Sequence, residues 1–370
     1  MSQLGYMEKL LDGVEIEWKK LGEVCEFQRG QTITKKKVVE GEVPVIAGGQ
    51  QPAYYHNMSN RTGRTISVSG SGAYAGFVAF WEVPIFLSDA FSVSPNAQLL
   101  NSKYVFYFLK NLQNEIYNKK SGSGVPHVYG KDLYGFEIPI PPLNVQAEIV
   151  RILDTFTELT AELTAELTAR QQQYEYYRKQ LLTFENIEVK WSALENVVKL
   201  QRGKRLIKSQ LEMSGDYAVY QNSMKPLGYY HESNVKSDTT FIISAGAAGE
   251  VGYSDVDFWA ADDVYFLLTP DNINSKFLYY YLLTQQYKIL AQVRRASIPR
   301  LSRTVIERMQ IPIPPLAEQK RIVSILDKFD VLTTSLTEGL PREIELRQQQ
   351  YEYYRDLLLS FPKPEVVTHD

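Results

Sequence analysis

Two stretches of this chain carry apolar residues at three- and four-residue spacing. The first runs Leu153, Phe156, Leu163, Leu167, Tyr174, Tyr177, Leu181 and Phe184, with Thr160 and Arg170 filling two seam positions. The second opens with Leu326, Phe329, Thr333 and Leu336 and closes with Tyr351, Tyr354, Leu358 and Phe361. Such spacing, sustained over several heptads, predicts long helices that pack along a seam. Pro142 and Pro315 stand just before them, where a missing N–H costs nothing. From Asp327 to Arg347 the second stretch is four residues longer than the first is from Asp154 to Arg170. The excess includes Gly339-Leu340-Pro341, which predicts a kink or a fresh helix start.

Elsewhere the pattern is mixed. Residues 43–47, 65–68 and 240–243 are short β-rich runs bounded by Gly, Asn and Ser. Residues 103–109 and 277–283 follow an Asn-Ser pair suited to helix capping, although their periodicity alone also allows strands. Within the first long helix Leu-Thr-Ala-Glu recurs from Leu159, and Asp154, Glu158, Glu162 and Glu166 form an acidic stripe at four-residue spacing. Mutual repulsion along it costs only tenths of a kcal/mol per pair, about the scale of any helix-surface pair. It is either a solvated face or a dock for a basic partner.

The two halves repeat each other. Arg170-Gln-Gln-Gln-Tyr-Glu-Tyr-Tyr-Arg178 returns as Arg347 to Arg355, and Ile138-Pro-Ile-Pro-Pro-Leu143 returns as Ile311 to Leu316. An offset of 173 also aligns Trp18 with Trp191, Gln28-Arg29-Gly30 with Gln201-Arg202-Gly203, Asn101 with Asn274, and Gln146 with Gln319. Val125-Pro126-His127 meets Ile298-Pro299-Arg300 at the same offset, whereas Tyr54-Tyr55-His56 pairs with Tyr229-Tyr230-His231 at 175. The period is the size of a domain rather than of a solenoid repeat. The expected organisation is an N-terminal segment at 1–14, a first globular domain at 15–141, a central helix at 142–185, a second domain at 186–314, a C-terminal helix at 315–362 and a tail at 363–370. Residues 6–11 resemble the two helix ends, as if the N-terminus completed a ring opened at the C-terminus.

Composition sets limits. At 370 residues with 44% hydrophobic content the chain can bury two cores. It has no apolar run long enough to span a membrane and no signal-peptide pattern, and a cytoplasmic protein is expected. The single cysteine, Cys25, excludes an internal disulfide and a multi-cysteine zinc site, and His56, His127, His231 and His369 show no metal-ligand spacing. No phosphate loop of the Gly-x-x-x-x-Gly-Lys type is present, and the glycines of residues 70–76 miss dinucleotide-loop spacing by one residue. No catalytic or metal site is expected in this chain. A net charge of −3 does not announce nucleic acid, but phosphates respond to a local patch.

The pairing of Pro-Leu-x-x-Gln-x-x-Ile-Val-x-Ile-Leu-Asp (Pro142 to Asp154, Pro315 to Asp327) with the later Tyr-Glu-Tyr-Tyr-Arg resembles the specificity subunit of type I restriction–modification enzymes. The Leu-Thr-Ala-Glu run points to the subgroup with such spacers, and the resemblance covers essentially the whole chain. It implies an α+β architecture: two similar mixed α/β target-recognition domains, two long antiparallel helices and a pseudo-two-fold internal repeat. It further implies a bipartite, asymmetric double-stranded DNA site, with one half read by each domain. The implied partners are two S-adenosylmethionine-dependent methyltransferase (modification) subunits and ATP-driven restriction subunits, and S-adenosylmethionine, ATP and magnesium would belong to them. Their docking residues are expected at Gln146, Tyr174, Tyr177, Gln319, Tyr351 and Tyr354. The alternative is a two-headed helical adaptor, which predicts no salt-dependent DNA affinity.

Phosphate binding needs cations or exposed N–H groups, and base reading needs polar side chains at loop tips. Around residues 288–308, Lys288, Arg294, Arg295, Arg300, Arg303 and Arg308 face only Glu307. Arg294, Arg295, Ser297, Arg300 and Arg303 are the candidates there. The equivalent loop in the first half offers Lys119, Lys120, Ser123 and His127, with glycines that permit close approach to a backbone. A second pair of candidates follows the shared Gln-Arg-Gly: Lys35, Lys36 and Lys37, then Lys204, Arg205 and Lys208. A third is the small-residue run with Ser71 and Tyr74, aligned from Ser69 onto Ser244. Trp81 and Trp259 read as core.

Overall fold

The computed structural model describes residues 15–184, 189–212, 214–335 and 337–362. The expected ring closure by residues 6–11 and the seam position Leu336 lie outside them. The described residues form two compact units: one takes in those up to Glu162 together with those from Ile344, the other those within Leu163–Glu343.

The first unit carries β1 (Glu17–Lys20), α1 (Leu21–Val24), β2 (Cys25–Arg29), β3 (Val43–Ile46), β4 (Tyr54–His56), β5 (Thr65–Ser69), β6 (Val78–Trp81), β7 (Phe86–Leu87) and β8 (Ala90–Pro95). Then come α2 (Ser102–Asn111), α3 (Gln113–Tyr117), α4 (Gly130–Leu133) and β9 (Glu137–Ile140), and α5 (Leu143–Leu181) begins directly after Pro142. An antiparallel sheet of order β2-β8-β5-β6 packs on α2, a smaller sheet of order β4-β3-β7 lies beside it, and β1 pairs with β9. β5 is buried along its whole length. The α2 stretch is a helix rather than a strand because the Asn101 side chain accepts from the N–H groups of Lys103 and Tyr104. Tyr104, Val105, Phe108 and Leu109 then face the core with Ile66, Val68 and Val93.

The second unit repeats this plan with β10 (Lys190–Ala193), β11 (Lys199–Arg202), β12 (Tyr217–Tyr220), β13 (Gly228–Tyr230), β14 (Thr239–Ile243), β15 (Val251–Ser254), β16 (Trp259–Ala260) and β17 (Val264–Leu268). α6 (Ser275–Thr284), α7 (Gln286–Ala291), α8 (Arg303–Glu307) and β18 (Gln310–Ile313) follow. Its sheets have orders β11-β17-β14-β15 and β13-β12-β16, with β10 paired to β18, so each sheet of the first unit has a counterpart. α9 (Leu316–Thr334) follows Pro315, and α10 starts afresh at Gly339 and ends at Leu358. Gly339 has φ +80°, and a side chain there would collide with the carbonyls of Val331 and Leu332. The four-residue excess thus coincides with a helix break.

Each domain holds one helix that leaves it and one that arrives. In the first unit Ile149 and Leu153 of α5 share the core with Leu358, Leu359 and Phe361 at the end of α10. The Trp18 indole N–H caps this junction by donating to the Pro362 carbonyl at 3.1 Å. In the second unit Ile322 and Leu326 of α9 share the core with Tyr174, Leu182 and Phe184 at the end of α5. The seam residues repeat as well: Phe156 stacks on Tyr354 at 5.2 Å, and Phe329 on Tyr177 at 5.6 Å.

The shared Pro-to-Asp motif is a joint. Gln146 is fully buried: its side-chain oxygen accepts from Asn101 N–H (2.7 Å), while its amide donates to the Leu99 (2.8 Å) and Pro141 (2.7 Å) carbonyls. Gln319 repeats this with Asn274, Asn272 and Pro314. Asp154 accepts from the Tyr107 hydroxyl at 2.5 Å and pairs with Lys103 at 2.9 Å. Asp327 does the same with Tyr280 and Lys276. Burial, and then these carboxylate contacts, push both tyrosine hydroxyls well above their ordinary pKa. Asp154 is therefore spent on the joint and does not belong to an open acidic stripe. Gln146 and Gln319 have no accessible surface, which removes them from any docking face, and Tyr174 is buried too. Tyr177 and Tyr354 stay exposed, and Tyr351 is half-buried.

Candidate nucleic-acid interface

In each domain the structure joins two candidate loops that are far apart in sequence. In the first domain residues 121–127 close on themselves, with Ser121 and His127 exchanging backbone hydrogen bonds at 3.0 and 2.8 Å. Gly122 at φ +113° makes that tight closure possible, since a side chain would strike the Val125 carbonyl. The closed loop is stitched to the small-residue run by Gly72 N–H on Pro126 O and Val128 N–H on Gly70 O, both 3.0 Å. The second domain repeats the construction: Arg294 and Arg300 exchange backbone bonds, Gly246 N–H reaches Pro299 O, and Leu301 N–H reaches Ser244 O.

These bonds reset the alignment of the copies. Gly70 corresponds to Ser244 and Ser71 to Ala245, one residue away from the pairing of Ser69 with Ser244. The strand pairings likewise match His56 with Tyr230 rather than His231. His56 is buried against Val39, while His231 is exposed and held by Glu212 at 2.6 Å.

The candidate side chains divide into open and engaged. Ser123, Tyr74, Arg294, Arg295, Ser297 and Arg300 are exposed on or beside the paired loops, and Lys119 is exposed with its ammonium 5.5 Å from the Phe136 ring. His127 stacks on Tyr129, with ring centroids 5.9 Å apart and nearly parallel. Lys120 is half-buried: its ammonium donates to the Ala73 carbonyl at 2.9 Å and lies 4.3 Å from the Tyr117 ring, so it braces one loop against the other. Arg303 is paired with Glu307 at 2.6 Å, which pushes its pKa up further, and also donates to the Leu200 carbonyl. Its charge is thus engaged within α8 by the one acidic residue of the patch. Ser71 donates to the Asp89 carboxylate.

The loops after Gln-Arg-Gly start from the connection before β8 or β17, with Gln31 N–H on the Leu87 carbonyl and Lys204 N–H on the Ala260 carbonyl. Lys35, Lys36 and Lys37 form an exposed 3-10 turn; Lys204, Arg205 and Lys208 are exposed too, with Lys208 opening a similar turn. The shared glycine has a packing reason: a side chain on Gly30 would collide with the Leu87 and Ser88 carbonyls, and one on Gly203 with those of Ala260 and Ala261. Sequence reading missed a cleft of about 150 Å³ in the first domain, lined by Arg29, Asp89, His127, Tyr129, Lys131 and Tyr134. His127 was the one signal toward it. Trp81 is half-buried and donates to Ser67 Oγ at 2.8 Å, as a packed residue would.

Among the described residues no group of His, Cys, Asp or Glu is arranged to hold a metal, and no helix is long and apolar enough to cross a membrane. The architecture is therefore two polar loop faces on a duplicated frame. The family model described as the type I restriction modification DNA specificity domain matches twice, at residues 13–170 and 186–346. The chain belongs to that family. It is a DNA specificity subunit, whose part is recognition of sequence and not catalysis. It is 35% identical over 424 aligned positions to a type I restriction enzyme specificity subunit of Escherichia coli, covering all of both chains. A putative specificity subunit of Haemophilus influenzae is 33% identical, over 96% of this chain and 98% of that one. The fold is that of the type I S subunit from M. genitalium, with a TM-score of 0.70 at 20% identity over 95% of this chain and 98% of the other.

Proposed function

We propose that this specificity subunit reads a bipartite, asymmetric DNA site, one half per domain, through the paired loops at residues 70–76 with 121–127 and 244–249 with 294–300. The observation that carries this is a shared frame with unlike tips. The bridge at Ser121 and His127 encloses Gly-Ser-Gly-Val-Pro, whereas the bridge at Arg294 and Arg300 encloses Arg-Ala-Ser-Ile-Pro. Identical framing with different donors suits two different half-sites. Lys119, Arg294, Arg295 and Arg300 supply phosphate contacts, aided by the lysine and arginine turns at 35–37 and 204–208. Ser123, Ser297, His127 and Tyr74 would meet base edges.

The repeated helix joints would offer two like surfaces, around Tyr177 and Tyr354, to two modification subunits. Restriction subunits would join that assembly. S-adenosylmethionine, ATP and magnesium would be used by those partners, in the cytoplasm. Because the chain itself is net negative, DNA affinity should depend on the partners closing around the duplex.

The test is to assemble the chain with its modification subunit and map adenine methylation across a genome. A single two-part motif with unlike halves is expected. Random methylation, or binding that does not weaken with salt, would reject the proposal.

A further inference from the structure

Asp89 is an anomaly on a face that must approach phosphates. It lies between β7 and β8, where its backbone carbonyl accepts from Gly70 N–H at 3.0 Å, so the carboxylate sits beneath the turn at Gly70–Gly72. One carboxylate oxygen accepts from Ser71 Oγ. The other lies 3.2 Å from where a side chain on Gly70 would begin, so glycine there leaves the carboxylate room. Although Arg29 and Lys131 line the same cleft, Asp89 forms no ion pair among the described residues. A carboxylate without an ion pair here opposes phosphate binding, yet Ser71 and Gly70 together hold it in place.

The duplex does offer such a group suitable donors. In the major groove these are the exocyclic amino groups of cytosine and adenine, and a carboxylate is a selective acceptor for them because it repels carbonyl and ring-nitrogen edges. Resting on the proposal that the paired loops read DNA, we infer that Asp89 determines specificity in the first domain. Its carboxylate accepts a hydrogen bond from the amino group of one base in that domain's half-site, with Ser71 fixing its orientation.

The second domain retains the aspartate and changes its setting. Asp263 occupies the equivalent place, its carbonyl accepting from Ser244 N–H at 2.7 Å. Gly70 is replaced there by Ser244, whose hydroxyl also bonds the Asp263 carbonyl, and Ser71 by Ala245. The carboxylate therefore lacks its serine holder and is presented differently, in keeping with unlike half-sites.

The experiment compares methylation maps of the complex carrying wild-type chain, Asp89→Ala and Asp89→Asn. Wild type is measured first: if its complex has no DNA affinity, the functional proposal itself fails. Given a wild-type motif, Asp89→Ala should lose roughly 10- to 100-fold of discrimination at a single base pair of one half. The other half should be unchanged, which also reports that the chain has folded and assembled. Asp89→Asn keeps the size and the contact with Ser71, and should relax the same position and no other. If Asp89→Ala does not assemble, this near-isosteric variant decides. An unchanged motif with Asp89→Asn and with any Asp89→Ala complex that forms would overturn the assignment while leaving DNA recognition intact.

Discussion

Gln146 accepts a 2.7 Å hydrogen bond from the backbone N–H of Asn101, at the point where the first domain hands over to its long helix. Asn101 in turn caps α2, so one buried amide ties the start of α2 to the start of α5. Replacing Gln146 by Leu keeps the volume but strands one N–H and two carbonyls in the interior. The expected cost is about 3–5 kcal/mol. Thermal unfolding should show an early transition that spares the second domain, while Gln319→Leu should reverse the order. A variant as stable as wild type would show that the clamp is dispensable.

The stacked pair Phe156 and Tyr354 joins the outgoing and incoming helices of the first unit, and Phe329 with Tyr177 is its repeat. Aromatic pairs of this geometry couple by about 0.5–1.5 kcal/mol beyond their area. A double-mutant cycle on Phe156→Leu and Tyr354→Leu should return a coupling in that range, read by denaturant unfolding. Additivity within error would mean that the rings merely adjoin.

Arg294 and Arg295 are exposed on the closed loop of the second domain, whereas Arg303 is occupied by Glu307. Arg295→Ala should weaken binding by the assembled complex uniformly across sequences and reduce the salt slope by about 1. Reversing both charges to Glu should abolish methylation at physiological salt, and unimpaired methylation would remove this loop from the interface. Arg303→Ala, by contrast, is expected to change stability more than DNA affinity.

The duplication, both proline-led helices and the break at Gly339 were legible because each leaves a local pattern: identical phrases, three-four spacing, a breaker. What was not legible depends on bonds between distant positions. A glutamine early in a helix reads as surface until its partners at Leu99, Asn101 and Pro141 are seen closing around it. Asp154 reads as part of an acidic stripe because its owners, Tyr107 and Lys103, lie about fifty residues away. Loop register slipped by one residue between the copies because a glycine run carries little pattern, and backbone bonds rather than letters decide it. Asp89 had no signature at all, since an aspartate after a short strand is commonplace.

The segment around Leu163 to Glu166 is continuous α5 and carries little packing: Thr164, Ala165 and Glu166 are exposed, and only Leu163 is half-buried. Removing these four residues should therefore cost little stability. It shortens the helix by about 6 Å and rotates its C-terminal part by roughly 40°. One base pair advances a duplex by about 3.4 Å and rotates it by roughly 34–36°, so the twist of one tetrapeptide nearly matches that of one base-pair step. Deleting Leu163 to Glu166 should then change the number of unread bases between the half-sites and leave both halves as they were. Methylation mapping distinguishes the outcomes directly: the same gap after deletion would mean that α5 does not set the distance, whereas a changed half-site would mean that the deletion disturbs a domain.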